Sequence, residues 1–247
     1  MRNVWTITKR EFNLYFVSPI AYVVAFAFLL VLGLVFFIIV NFALAGTWGG
    51  APTPSDILNN FFAMILLLAS AAVLTMRLFA EEHRTGTIEL LLTAPVREWE
   101  LVAGKWLAAL GYMTLLLLAT GIYALILNHY TEPGLDLGAT LAGYLGLWLM
   151  VASMLAVGVF ASTLFSNQIA AFFVTLVLLL AFWLIQYPVQ DKTDLVSTVF
   201  SSLSFYSHYV NNFVNGVVDL TDVTYFISVV VLFLFLAART VESRRWR

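Results

Sequence analysis

Residues 137–190 read LGATLAGYLGLWLMVASMLAVGVFASTLFSNQIAAFFVTLVLLLAFWLIQYPVQ, 54 positions without one Asp, Glu, Lys or Arg. A helix needs about 20 apolar residues to cross the roughly 30 Å of hydrocarbon in a bilayer. The run is therefore too long for one crossing and right for two. The polar break Ser166-Asn167-Gln168 is where the chain would turn back, giving spans at about 140–165 and 168–188. Further apolar runs flank this pair. Span 106–127 is entered through Lys105, span 57–76 ends at Arg77, and span 19–43 opens on Pro19, whose missing N–H suits a first helical turn. The last run, Val223 to Ala238, holds only 16 residues and would measure about 24 Å. It needs neighbouring residues to cross and is taken as 220–239, with Arg239 snorkelling to the headgroups.

Composition supports the same class. The chain is 62% hydrophobic and 11% charged, against roughly 45–50% and 25% in soluble domains, which excludes a water-soluble fold. Net charge is −2 and the basic residues are dispersed, so no nucleic-acid stripe forms. With no Cys, disulfides, thiolate metal sites and cysteine nucleophiles are excluded. Threaded through six crossings, eleven of the twelve Lys and Arg residues fall on one side and Lys192 alone on the other. By the positive-inside pattern both termini are expected in the cytoplasm and the chain in the inner (plasma) membrane. Ala43-Leu44-Ala45 before Gly46 mimics a signal cleavage site, but the 25-residue run from Pro19 exceeds the roughly 7–15 residues of a signal core.

Two amphipathic segments lie outside the spans. Trp5, Phe12, Tyr15 and Phe16 share one helical face, with Arg2, Thr6, Lys9 and Asn13 on another, which predicts a helix in the cytoplasmic interface. Between the fifth and sixth spans, Tyr206, Tyr209, Val210, Phe213, Val214 and Val217 keep helical spacing opposite Ser207, Asn211, Asn212 and Asn215, predicting an external amphipathic helix. Charge is densest from Arg77 to Lys105. There Gly86 as N-cap would put Glu89 at the third helical position, and Pro95 would end the helix after about two turns. Its apolar face of Ile88, Leu91 and Leu92 lies outside the membrane. Either a partner protein or the chain's own helix ends could bury it.

Glu81-Glu82, then Gly86-Thr87-Ile88-Glu89-Leu90-Leu91-Leu92-Thr93-Ala94-Pro95, then Gly104-Lys105, resemble the signature of permease subunits of ABC-2 type transporters. Lys9-Arg10-Glu11-Phe12, Ser18-Pro19-Ile20-Ala21-Tyr22, the stretch Phe213 to Leu220, Asp222-Val223, Tyr225-Phe226 and Glu242 to Trp246 are similar to the branch of gliding-motility and nitrous-oxide-reductase-maturation permeases. The resemblance covers essentially residues 1–247 and implies one all-α transmembrane domain. It implies two permease copies driven by separate ABC ATPase subunits, which hold the ATP and magnesium, and it allows an extracytoplasmic auxiliary protein. Gly86, Thr87, Ile88, Glu89, Leu91 and Leu92 would be the coupling helix seated in the ATPase, Glu81 and Glu82 the cytoplasmic gate, and the segment between the last two spans the external re-entrant helices.

The residues themselves provide no ATPase in this chain. The sole Gly-Lys pair, Gly104-Lys105, is followed by Trp106, and Trp99 stands where a phosphate-cradling loop needs its first Gly. An ion-coupled secondary transporter is one alternative. The assigned span cores lack charged residues, however, and Asn41, Ser70, Thr114, Ser153, Thr175 and Ser228 are of the kind that bond between helices. An intramembrane protease is another, since Glu81-Glu82-His83-Arg84 resembles the paired-glutamate motif of CAAX-type proteases. Yet Gly86 replaces the motif's Arg, and His83 is expected on the opposite side from His129 and His208, so no metal set converges.

Overall fold

A computed structural model describes residues 2–47, 52–87, 96–130, 134–185 and 195–245, and every element among them is helical. Helix α1 (Arg2–Val17) is followed by α2 (Pro19–Leu44), α3 (Pro54–Leu58), α4 (Phe61–Thr75) and α5 (Ala80–Thr85). Then come α6 (Glu98–Tyr130), α7 (Leu137–Leu164), α8 (Gln168–Leu184), α9 (Leu195–Leu203), α10 (Phe205–Val210), a 3₁₀ turn at Phe213–Asn215, and α11 (Leu220–Arg245).

Among the described residues, five helical stretches are long and apolar enough to cross a membrane: α2, Phe61–Thr85, α6, α7 and Leu220–Ser243 of α11. Helix α8 is apolar but shorter, at 17 residues. Its predicted continuation past Ile185 lies outside the described residues. Pro19 stands in the first turn of α2 as expected, and Asn167 starts α8 by accepting the Ile169 N–H at 2.8 Å, so the turn expected at Ser166-Asn167-Gln168 is present. Asp136 does the same for α7 through Ala139 N–H.

The most buried helix is α7, which packs against α4, α6, α8 and α11. Small residues allow this. A Cβ on Gly158 would lie 2.1 Å from Thr75 Oγ1 of α4 and 3.1 Å from Thr175 Cγ2 of α8, so three helices meet where this side chain is only hydrogen. Gly104 similarly admits Ile7 of α1, and Gly111 admits Phe12. These small residues serve packing within the chain.

Four expected elements differ. The span at 57–76 is two helices, because Asn60 adopts extended backbone and caps α4 through Phe62 N–H at 3.0 Å, while Thr53 and Asp56 form a capping box on α3. The third and sixth spans extend as helix well past 106–127 and 220–239, since polar turns such as that holding the Arg239–Glu242 pair, 2.7 Å apart, continue the helical ladder. The single amphipathic helix expected around 206–217 is α10 plus the 3₁₀ turn. Gly216, at φ 81°, ends it in the left-handed region. Phe205, Tyr209 and Phe213 are fully buried there, Phe213 against Gly146 of α7, whereas Val217 is exposed.

Helix α1 lies along α6. It buries Thr8, Glu11 and Tyr15 and exposes Trp5, Leu14, Phe16 and Val17. The expected aromatic face is thus divided, with Tyr15 inward and Trp5 and Phe16 outward.

Candidate functional site

A charged cluster lies where α1, α5 and α6 meet. Lys105 is 1% exposed, and a buried ammonium is costly unless carboxylates receive it. Its Nζ donates to Glu82 Oε1 at 2.7 Å and to Glu11 Oε1 at 3.3 Å, and sits 5.3 Å from the Phe79 ring centroid. Arg10 Nη2 donates to the same Glu11 oxygen at 2.6 Å. Burial pushes the Glu11 carboxyl up, but the Lys105 ammonium and the Arg10 guanidinium outweigh it and hold the group below the usual carboxylate range. Glu82 Oε2 is buried with no hydrogen-bond partner among the described residues. The cluster therefore balances two carboxylates against two cations while keeping one acceptor unused.

The backbone that carries Glu82 is held from α7. Between α4 and α5 the helical ladder is broken, and Ser162 Oγ accepts the Phe79 and Ala80 N–H groups at 3.0 and 3.2 Å while donating to Met76 O at 3.1 Å. One hydroxyl thus satisfies backbone groups that have no water to turn to.

Beside the cluster, Arg77 donates to Ser18 Oγ in the break between α1 and α2 and lies 5.3 Å over the Tyr15 ring. Tyr15 donates to Leu74 O at 3.1 Å and stacks on Tyr112 at 5.0 Å, and Tyr112 donates to Ala21 O at 2.6 Å. Complete burial raises the Tyr15 hydroxyl far above its ordinary value, so it remains a donor. A cavity of about 510 Å³ opens between these groups, its wall including Glu81, Glu82, Thr85, Thr87 and Arg77.

The predicted site residues separate accordingly. Glu82 enters the ion cluster, while Glu81 is exposed at the cavity wall. Gly86, expected as an N-cap, is the left-handed C-terminal cap of α5 at φ 71°, since only a residue without Cβ takes that conformation cheaply. Thr87 is helical and pairs with Thr85 Oγ1 at 2.9 Å. Ile88, Glu89, Leu91 and Leu92 lie outside the described residues. Lys105, Glu11 and Arg77 were not predicted as site residues. The available signal was that Lys105 shares a helix face with Leu101, Val102, Ala108 and Ala109, which leaves a cation no route to water.

A second polar constellation occupies the N-terminal end of α11. His208 Nδ1 faces Asp222 Oδ1 at 2.5 Å and its Nε2 faces Ser202 O at 3.0 Å. Asn212 donates to Asp222 Oδ2 at 2.7 Å, and the imidazole stacks on Tyr225 at 4.0 Å. This closes the 201–225 segment onto α11.

No curated protein matches the chain. The sequence model of the family described as ABC-2 family transporter protein matches residues 49–241, a range that holds Arg77, Glu82, Lys105 and Ser162 and follows α1 and α2. That family is a membrane component that works with an ATPase partner subunit. Together with the apolar helices, a match over most of the chain places it: this multi-pass membrane protein belongs to the ABC-2 transporter family.

Proposed function

We propose that the chain is the permease subunit of an ATP-driven transporter, crossing the plasma membrane six times with both termini in the cytoplasm. Two copies would form the transmembrane unit, and ATP would be hydrolysed in the separate subunit. The observation that carries this reading is the Glu11–Lys105–Glu82 cluster. It ties the short α5, which leads directly into the 86–92 segment that resembles a coupling helix, to α6 and to the interfacial α1. A push on 86–92 would travel through α5 to Glu82, and from there to α6 by the ion pair and to α7 by the Ser162 clamp.

In this reading Glu81 and Glu82 stand at the cytoplasmic gate, and the unused Glu82 oxygen leaves room for the pairing to rearrange between inward- and outward-open states. The 195–216 helices would form the external re-entrant segment between the last two spans. Family membership does not favour an ion-coupled transporter or an intramembrane protease.

Leu91→Asp or Leu92→Asp tests the proposal by placing an unpaired charge in the ATPase groove. Membrane insertion should persist, while co-purification of the ATPase and ATP-driven transport fall together. Wild-type assembly and transport in both variants would overturn the coupling assignment.

A further inference from the structure

We infer that the crevice between α2 and α4 binds one anionic phospholipid, its phosphate on Arg77 and an acyl chain in the apolar groove beyond it. Two neighbouring features of opposite chemistry carry this. The first is the polar cavity lined by Arg77, Ser18 and Tyr15. The second is a groove of about 350 Å³ whose lining includes Ile20, Val24, Ala27, Leu66, Ala69 and Val73.

Both belong to the same helix pair in register. Ser18 lines the cavity and Pro19 the groove, while Val73 lines the groove and Arg77, four residues on, the cavity. The groove runs from Ile20 to Ala27, about 10 Å at 1.5 Å per residue, against roughly 15 Å for the hydrocarbon of one leaflet. Charged head at the span boundary and apolar slot directly beneath the bilayer surface is the outline of a phospholipid.

Charge decides the head. Glu11 is paired with Lys105 and Arg10 and Glu82 with Lys105 through Oε1, and Glu81 is exposed to solvent. Arg77 is half-buried, and no carboxylate within ion-pair distance neutralises it among the described residues. Ser18 and Tyr15 fix its guanidinium, whose remaining donors match a phosphate in the bidentate manner that Arg favours. Basic pockets between membrane helices recognise anionic headgroups by this chemistry. The slot exists because Ala27 and Ala69 are small where α2 and α4 face each other, and its floor is sealed by Val24, 8% exposed.

This inference rests on the chain crossing a membrane and not on its ATPase, so the assay uses the permease alone. The full chain is reconstituted in phosphatidylcholine nanodiscs containing a small fraction of phosphatidylglycerol that bears a photoreactive acyl chain, and labelled peptides are mapped. Labelling should concentrate in residues 20–27 and 66–73. Arg77→Gln should lower it about tenfold, the weight of one charge-assisted contact. Ala69→Phe, which fills the slot and leaves Arg77 in place, should abolish it there while labelling at the lipid-exposed Leu118 persists. Labelling spread evenly over exposed positions such as Leu118, or unaffected by both variants, would overturn the site. Displacement of the lipid by inorganic phosphate would show an anion site that ignores the chain and overturn it as well. So would an unlabelled groove whose Val23→Cys variant cross-links two copies, because a second permease would then fill it.

Discussion

Lys105 illustrates how one residue can set the character of a membrane protein's end. Its ammonium is held by two carboxylates from two other elements, so Lys105→Met leaves Glu82 buried without a cation and Glu11 with Arg10 alone. Loss of one partner from a buried pair costs about 3 kcal/mol, and the detergent-solubilised variant should melt correspondingly lower. Adding Glu82→Gln should recover part of that loss; a double variant as unstable as the sum of the single changes would show that the residues are not coupled. Glu11 adds a pH dependence. Its folded carboxyl is below its ordinary value, so it contributes stability that is complete above the unfolded-state value and is lost as pH falls through the folded one. Glu11→Gln should therefore flatten the acid side of a melting-temperature profile, and an unchanged acid slope would contradict the assignment. The resemblance to ABC-2 permeases suggested Glu82 through the paired glutamates. It did not suggest the partners of Glu82, because Glu11 and Lys105 are 94 positions apart and meet only when α1 lies along α6.

At the scale of elements, packing depends on where side chains are missing. Gly158 stands within 2.1 Å, by a hypothetical Cβ, of a Thr75 hydroxyl that is itself pinned to Ala71 O at 2.7 Å. Gly158→Ala should separate α4, α7 and α8 at a cost of roughly 1–3 kcal/mol, and Thr75→Ala in the same chain should restore much of it. Gly121 of α6 meets nothing within 4 Å, so Gly121→Ala should be neutral or slightly stabilising through its helical preference. Equal effects of the two substitutions on the melting temperature would refute the close approach at Gly158. The paired Asn59-Asn60 and Gly216 carry the same lesson for helix ends. Hydropathy averaged over a window passes across Asn59-Asn60, while a single Asn60 cap divides the expected span, and Gly216 closes a segment whose apolar spacing continued to Val217.

For the whole molecule, the asymmetry of eleven basic residues to one leads to an orientation that labelling can check. Single cysteines at Thr53 and Thr87, in the links on either side of the Phe61–Thr85 stretch, should react with membrane-impermeant reagents from opposite faces, Thr53 from outside and Thr87 from the cytoplasm. Labelling of Thr87 from outside would reverse the topology and remove the ATPase-facing role of the 86–92 segment. Labelling of both from one face would mean that Phe61–Thr85 does not cross.

That this chain is helical and membrane-embedded could be read from its residues in order, because the length of the apolar runs and the placing of the cations between them are set before any helix packs. The turn at Ser166-Asn167-Gln168 and the first turn at Pro19 were legible for the same reason, since capping chemistry is local. That Lys105 is buried between Glu11 and Glu82, that Ser162 clamps the break between α4 and α5, and that Arg77, above an apolar slot, has no paired carboxylate among the described residues follows from packing alone. Each of these depends on which helix faces which, and in a chain so uniformly apolar that choice is made by small residues and a few polar contacts rather than by hydrophobic periodicity, because lipid and neighbouring helix attract the same side chains.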